Sequence, residues 1–338
     1  MARLRRFSWP TWLLGIGAVF LLIAGILYVA PSNDYIFLPD RARAVAPLVK
    51  VQGEKPDKDG GGIYYVAVDV RKASLLEKAL PGLNDGATLV PADQVNPEGV
   101  DERQRRQGEL QEMARSQKYA AAVALRSLGY KVSIQPKGAL VEAVGEGYPA
   151  TGKLVPDDVI VAVDGVPVRN AAGLTTQLEK RKPGDVVRLT VRRLKKTLDL
   201  SIRTTKSPED ANRAFLGVVI ADDANVKLPV KVSFDIGDVG GPSAGLAFSL
   251  NLVEELGRDV DHGRRIAATG EILLDGSVRA VGGLKQKTIA ARRSGMDLFL
   301  VPGDNAAEAR RYADGLRIVP VDSFQQALRR LATATPNA

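Results

Sequence analysis

Residues 237–245, Gly237-Asp238-Val239-Gly240-Gly241-Pro242-Ser243-Ala244-Gly245, separate an apolar run (VKVSFDI, 230–236) from a segment whose spacing predicts a helix from Ser243 to about Leu256. Glycine lacks a Cβ, so this density of glycines lets the chain turn tightly between a strand and a helix. A serine at that junction meets unpaired backbone N–H groups and the positive end of the helix dipole, both of which favour an oxyanion. Acyl transfer needs those parts around its nucleophile: exposure, a fixed position and donors aimed at developing charge. Serine is also an ordinary N-cap residue, and on this stretch alone both readings stand.

Two stretches downstream bear on the choice. Val281-Gly282-Gly283-Leu284-Lys285-Gln286-Lys287-Thr288-Ile289-Ala290-Ala291 reads as a strand end followed by a helix carrying two lysines. A lysine acts as a base only when neutral, which requires desolvation or a nearby positive field to lower its pKa from about 10.4. Lys285 and Lys287 project about 200° apart on a helix, so at most one faces an interior site and the other belongs to the surface. Between the serine and the lysines lie Ala268-Thr269-Gly270-Glu271-Ile272 and Asp275-Gly276-Ser277-Val278. A threonine there suits the orienting role in a dyad, or is simply a strand residue.

Composition narrows the chemistry. The 338-residue chain has no cysteine and one histidine, His262. Thiolate nucleophiles, disulfides and thiolate metal sites are excluded, and so are zinc sites built from several imidazoles of one chain. His262 lies in Asp261-His262-Gly263-Arg264, a polar stretch that reads as a loop. A nucleophile in this chain therefore calls for a base other than histidine. The formal net charge of +8 is spread along the chain with no nucleic-acid motif, and reads as solvated surface.

Taken together, GPSAG (241–245), TGEI (269–272), DGSV (275–278) and GGLKQK (282–287) resemble, in order and spacing, the proteolytic domain of the Lon family of Ser-Lys peptidases over residues 210–335. The resemblance implies a nucleophile at Ser243, a general base at Lys287 rather than Lys285, and a lysine-contacting threonine at Thr269. Gly241 and Pro242 are the supporting residues of the serine loop, with backbone N–H groups of Gly241 to Ser243 as oxyanion donors. It implies no cofactor and no metal, polypeptide substrates, and the rings that such domains often form, hence a homo-oligomer. Two departures stand out. Nothing here resembles the ATPase module of ordinary Lon proteases, and Gly240 occupies a position that is acidic in many of their serine loops.

Further outward, residues 115–205 resemble a bacterial PDZ domain, on GALVEAV, GYPATGKLVPDDVIVAVDGVPV and LTTQLEKRKPGDVVRLTVRR. That resemblance implies an extended peptide ligand added to a sheet edge beside a helix, with Leu128-Gly129-Tyr130-Lys131-Val132 as the best candidate for the carboxylate loop. Gly147–Leu154 (GYPATGKL) nearly matches a phosphate-binding loop, but Leu154 stands where a magnesium-binding hydroxyl belongs, which argues against nucleotide binding. Residues 31–110 read as an anchor-proximal β-rich extension. Trp12–Ala30 is an uncharged run long enough to span a bilayer, preceded by Arg3, Arg5 and Arg6. Positive-inside logic leaves residues 1–11 in the cytoplasm and sends the rest across, a single-pass arrangement with interfacial Trp9, Trp12 and Tyr28. A cleaved signal peptide is the competing reading, with Tyr28 and Pro31 poorly placed for a cut after Ala30. The whole order resembles the bacterial membrane-anchored PDZ–Lon proteins. The expectation is a multidomain chain: transmembrane helix (12–30), β-rich extension, PDZ-like α+β domain and Lon-type α/β (α+β) proteolytic domain. Its function is ATP-independent cleavage of extracytoplasmic or membrane-adjacent polypeptides. The alternative is a non-catalytic PDZ scaffold.

Overall fold

A computed structural model describes residues 9–52, 61–95, 102–194, 196–208, 210–237 and 239–333, without the side chains of 9–15 and 102–105. Residues 53–60, Glu209, Asp238, the first eight residues and the side chains of Trp9 and Trp12 lie outside the described set. The chain divides into two compact units.

The first unit comprises residues 1–117, 233–272 and 277–338. It is built on a six-stranded sheet in the order Arg317–Val321, Leu298–Pro302, Arg265–Ala268, Gly62–Ser74, Pro31–Ala44, Thr88–Val90. The first four strands run parallel, with Ile266 opposite Ile63 and Ala268 opposite Tyr65. The last two join antiparallel. Residues 31–95 are thus not a separate extension, as the sequence suggested; they supply half the strands of this sheet. Alternating apolar residues identify a strand, but the partner of Gly62–Ser74 lies some two hundred residues downstream, where periodicity carries no information.

Both faces of this sheet are covered, as parallel strands require. On one face Val66, Ala267, Phe299 and Val301 pack with Leu284, Ala290 and Ala291 of the helix Leu284–Arg293. On the other, the fully buried helix Gly245–Glu255 sets Phe248 against Tyr65 (ring centroids 6.2 Å apart) and Phe234 (5.2 Å). The 26-residue helix Glu102–Ser127 contributes its first part, to Gln117, to this unit. At the N-terminus, helix Trp9–Val29 leads directly into Pro31–Ala44, and Leu75 N–H donates to Ala30 O (2.9 Å). The side chains described on that helix begin at residue 16. Among the described residues no helix is long and apolar enough to cross a membrane.

The second unit, residues 118–232 and 273–276, is inserted between strands of the first. Its antiparallel sheet runs Val218–Lys227, Ser133–Val144, Val159–Val163, Val186–Arg193, Lys196–Arg203, with helix Ala171–Glu179 beside it. Val141, Ile160, Leu174, Leu189 and Ile202 form its core. Its boundary falls later than the 205 read from the sequence. The run FLGVVIA (215–221), which falls within the 210–335 read as the following domain, opens the edge strand Val218–Lys227, which pairs with Ser133–Val144 from Val218 opposite Val144 to Lys227 opposite Ser133. Its alternating apolar residues complete the core through Leu216, Val218 and Ile220. Buried Asp158 is paired to Arg193 (2.7 Å) and accepts from Val155 N–H (3.0 Å), so its charge is compensated.

Candidate active site

Ser243 lies two residues before the first helical residue, Gly245; the helix begins slightly later than the pattern predicted. The cap position belongs to Ala244, and no side chain caps this helix. The seryl hydroxyl is therefore not consumed by capping, which removes the ordinary explanation for a serine at this place.

The loop around Ser243 is held by its backbone at several points. Gly241, at φ 81°, donates its N–H to Glu109 O (2.9 Å). Pro242 O accepts from the Ser116 hydroxyl (2.9 Å) and from Gly245 N–H (3.2 Å). Ser243 O accepts from Gly270 N–H (2.8 Å) and the Thr269 hydroxyl (3.1 Å). Two corrections follow. The N–H of Gly241 is engaged and Pro242 has none, so the donors left for an oxyanion are those of Ser243 and Ala244, which bond no acceptor among the described residues. Thr269, fully buried at the end of strand Arg265–Ala268, donates its hydroxyl to the carbonyl of Ser243, and no hydrogen bond joins it to a lysine amine among the described residues. It fixes the nucleophile's backbone, because that carbonyl is the acceptor its short side chain reaches.

Sequence reading missed Glu109 and Ser116. Both stand on the helix Glu102–Ser127, whose charged surface pattern gave no hint that it braces a glycine loop. A Cβ on Gly240 would meet Glu109 Cβ at 2.8 Å, so the loop and this helix touch closely enough to require glycine.

The two lysines separate as the helical geometry demands. Lys287, in the first turn of Leu284–Arg293, is only 4% exposed, and burial alone lowers its pKa from 10.5 to about 8. No ion pair or hydrogen bond holds its amine among the described residues, so desolvation is uncompensated and favours the neutral form. Lys285, expected at the surface, is half-buried and donates to Ala87 O (2.8 Å) and Thr88 Oγ1 (3.2 Å). With Gln286 Nε2, which also donates to Thr88 Oγ1 (2.9 Å), it ties this helix to the sheet's edge strand.

Ser243 and Lys287 line one cleft of about 1070 Å³, together with Gly241, Gly283 and the strand residues Val66 to Val70. Gly283 caps the lysine helix in a left-handed conformation (φ 73°), and a Cβ there would lie 2.7 Å from Val68. The strand Gly62–Ser74 pairs with Arg265–Ala268 only as far as Tyr65; from Val66 onward that edge is open along the cleft.

Other candidates fall away from this cleft. His262 sits in a turn with its ring 3.2 Å from Asp259. Residues 147–154 run as turns with no helix after them, and the Lys153 amine donates to Ser201 O (2.8 Å). Carboxylates of Glu254, Asp259 and Asp261 approach one another within 4.8 Å. Glu254 Oε2 is already bonded to the N–H groups of Val260 and Asp261, and burial raises its pKa to about 7. In the second unit, the N–H groups of Gly129 and Tyr130 close the end of helix Glu102–Ser127 on Arg126 O and Leu125 O, leaving them unavailable to a peptide carboxylate. A small groove of about 160 Å³ lies instead between helix Ala171–Glu179 and Phe215 to Ile220, lined by Leu174, Leu178 and Phe215.

Comparison with known proteins agrees with the motifs. A quarter of the chain is similar to the PDZ domain of an SdrC-like protein from Listeria innocua, at 25% identity over 93% of that chain with a TM-score of 0.23. The chain is 29% identical to a Lon protease of Mycoplasmopsis agalactiae over 49% of its own length and 17% of that protein's. It is 42% identical to Lon protease 1 of Myxococcus xanthus over 26% and 11%, and 24% identical to Lon protease 2 of Bacillus subtilis over 61% and 35%. The chain thus spans about a third or less of the length of these relatives. The family model described as Lon protease (S16) C-terminal proteolytic domain matches residues 140–333, more than half of the chain. With the GPSAG serine and a buried, desolvated lysine facing one cleft, this match establishes that the chain belongs to the Lon (S16) proteolytic-domain family of serine peptidases.

Proposed function

We propose that this protein is a membrane-anchored endopeptidase that uses Ser243 as nucleophile and Lys287 as general base, without nucleotide. The observation that carries the reading is the buried amine of Lys287, with its pKa lowered to about 8, lining the cleft that holds the uncapped hydroxyl of Ser243. Ser243 Oγ attacks the scissile carbonyl carbon while its proton passes to Lys287 Nζ. The tetrahedral oxyanion takes hydrogen bonds from the N–H groups of Ser243 and Ala244. Lysine then returns the proton to the leaving amine as the C–N bond breaks, and water hydrolyses the acyl-enzyme by the same relay in reverse. The open edge of Gly62–Ser74 beyond Tyr65 suits a substrate in extended form, so unfolded or exposed segments are the substrates.

Anchoring rests on the uncharged run Trp12–Ala30 and on the helix that carries it, where Phe20, Leu21 and Val29 are 70%, 72% and 80% exposed. Such an all-round apolar helix needs a lipid or protein cover. The cytoplasmic N-terminus puts the catalytic unit outside the cytoplasm. Full-length protein in nanodiscs should cleave an unstructured casein-like polypeptide equally with and without ATP and magnesium. Ser243→Ala and Lys287→Ala should abolish cleavage, and a serine-directed covalent probe should label only protein with Ser243. Full activity in either variant overturns the dyad, and a native protein that neither cleaves nor labels favours a non-catalytic scaffold.

The second unit's open edge at Val218–Lys227 and the groove beside Leu174 and Leu178 favour an added role in peptide capture. Gly217, at φ 80° and packed so closely on Tyr148 that no Cβ fits, shapes the start of that edge. Leu178→Lys, at a partly buried position of the groove, should weaken binding of extended peptides to the full chain and leave cleavage of short ones unchanged.

A further inference from the structure

The cleft's rim carries a second apolar surface that catalysis does not use. Leu75, Leu80 and Leu83 are 40%, 54% and 48% exposed, on the short helix Leu75–Ala79 and the turn Pro81–Leu83. Three exposed leucines within nine residues make a patch rather than scattered surface apolars. Two features say what covers it. The first is continuity with the N-terminal helix. Leu75 N–H donates to Ala30 O, and Lys78 is paired to Asp34 (2.9 Å), so the leucine-bearing segment is fixed to the point where that helix enters the sheet. The second is charge: Lys72 is exposed beside the leucines, while Glu77 is turned inward against Arg71 and Asn84. An exposed cation beside exposed leucines matches an anionic lipid surface.

We propose that Leu75, Leu80 and Leu83 seat in the outer interface of an anionic bilayer and hold the mouth of the catalytic cleft at that surface. Leu83, Asn84 and Val70 line the cleft, so its opening is part of the seated rim. The substrates are then polypeptide segments lying at the lipid–water boundary, such as chains still tethered to the membrane, rather than chains free in bulk water. This deepens the anchored-peptidase reading and rests on it.

The chain has no cysteine, so single cysteines introduced by substitution report without interference. Full-length protein carrying Leu80→Cys, Ile23→Cys or Gln325→Cys, each labelled with an environment-sensitive dye, is reconstituted in phosphatidylcholine/phosphatidylglycerol vesicles containing spin-labelled lipids. Quenching at positions 80 and 23, with none at 325 on the C-terminal helix, is the expected result. Quenching at 23 without quenching at 80 overturns the seating and leaves the anchor standing. Absence of quenching at 23 overturns the anchor and the seating with it. In parallel, Leu75→Ser/Leu80→Ser should lower cleavage of a lipid-tethered unstructured peptide at least about fivefold relative to the same peptide free in solution. Equal effects on the two substrates overturn the proposal.

Discussion

Replacing Lys287 with methionine should make the protein more stable at neutral pH while destroying its activity. Lys287 is buried without a partner, and its folded pKa of about 8 lies below the ordinary 10.5 of an exposed lysine. Below pH 8 both folded and unfolded chains carry the proton, and the folded state bears the full penalty of a desolvated ammonium. Between about 8 and 10.5 the unfolded chain binds the proton and the folded one does not, so stability climbs with pH across that window. Lowering the pKa from 10.5 to about 8 corresponds to about 3 kcal/mol. Methionine fills a similar volume without charge, so at pH 7 Lys287→Met should gain about 3 kcal/mol, a gain that shrinks to nothing near pH 10.5. Urea unfolding of detergent-solubilised native and variant protein at pH 7, 8, 9 and 10 measures it. A variant less stable than native at pH 7, with the same pH dependence, would refute the uncompensated amine and with it the lysine's fitness as a base.

The same titration governs the rate. With lysine required neutral, kcat/KM should rise with pH through about 8 and level off above it, measured with an uncharged fluorogenic peptide; a profile flat from pH 6 to 9 contradicts a lysine base. Gly283→Ala forces a Cβ into left-handed backbone and against Val68, and should lose at least about 1 kcal/mol of stability and reduce kcat, because the lysine helix must shift. Glu254 has its folded pKa raised to about 7 by burial, above the ordinary 4.5, so the folded chain holds the extra proton between those values and stability falls as pH rises through the window. Glu254→Gln keeps the acceptor for Val260 and Asp261 and should recover up to about 3 kcal/mol at pH 8, read from thermal unfolding.

The site was legible because its parts are local. Glycine spacing announces the turn at Ser243, and the near-opposition of residues two apart on a helix separates Lys287 from Lys285. The braces were not legible, because they are contacts between distant segments. Glu109 O and Ser116 Oγ hold the serine loop from a helix more than a hundred residues upstream, and nothing in ERQRRQGELQEMARSQ marks those two positions. The bond from Thr269 to the Ser243 carbonyl was not legible for a similar reason: a hydroxyl can donate to a carbonyl and accept from an amine, and spacing along the chain does not say which it reaches. The strands at 31–74 were recognisable as strands, but a parallel partner cannot be read from alternation, so their sheet was assigned to a different part of the molecule. The last strand of the second unit was missed because FLGVVIA fits an α/β sheet as well as an antiparallel one.

The interrupted order of the catalytic sheet has a bearing on when the enzyme can first act. Strand Gly62–Ser74 emerges early, but its parallel neighbour Arg265–Ala268 and the helix bearing Lys287 follow only after the whole inserted unit. A nascent chain therefore cannot bring Ser243 and Lys287 together until the segment through Lys287 has been made, while the inserted unit, complete in itself but for four residues, is free to fold beforehand. Delayed assembly of this kind acts as a timer that keeps the peptidase silent until both segments have been made.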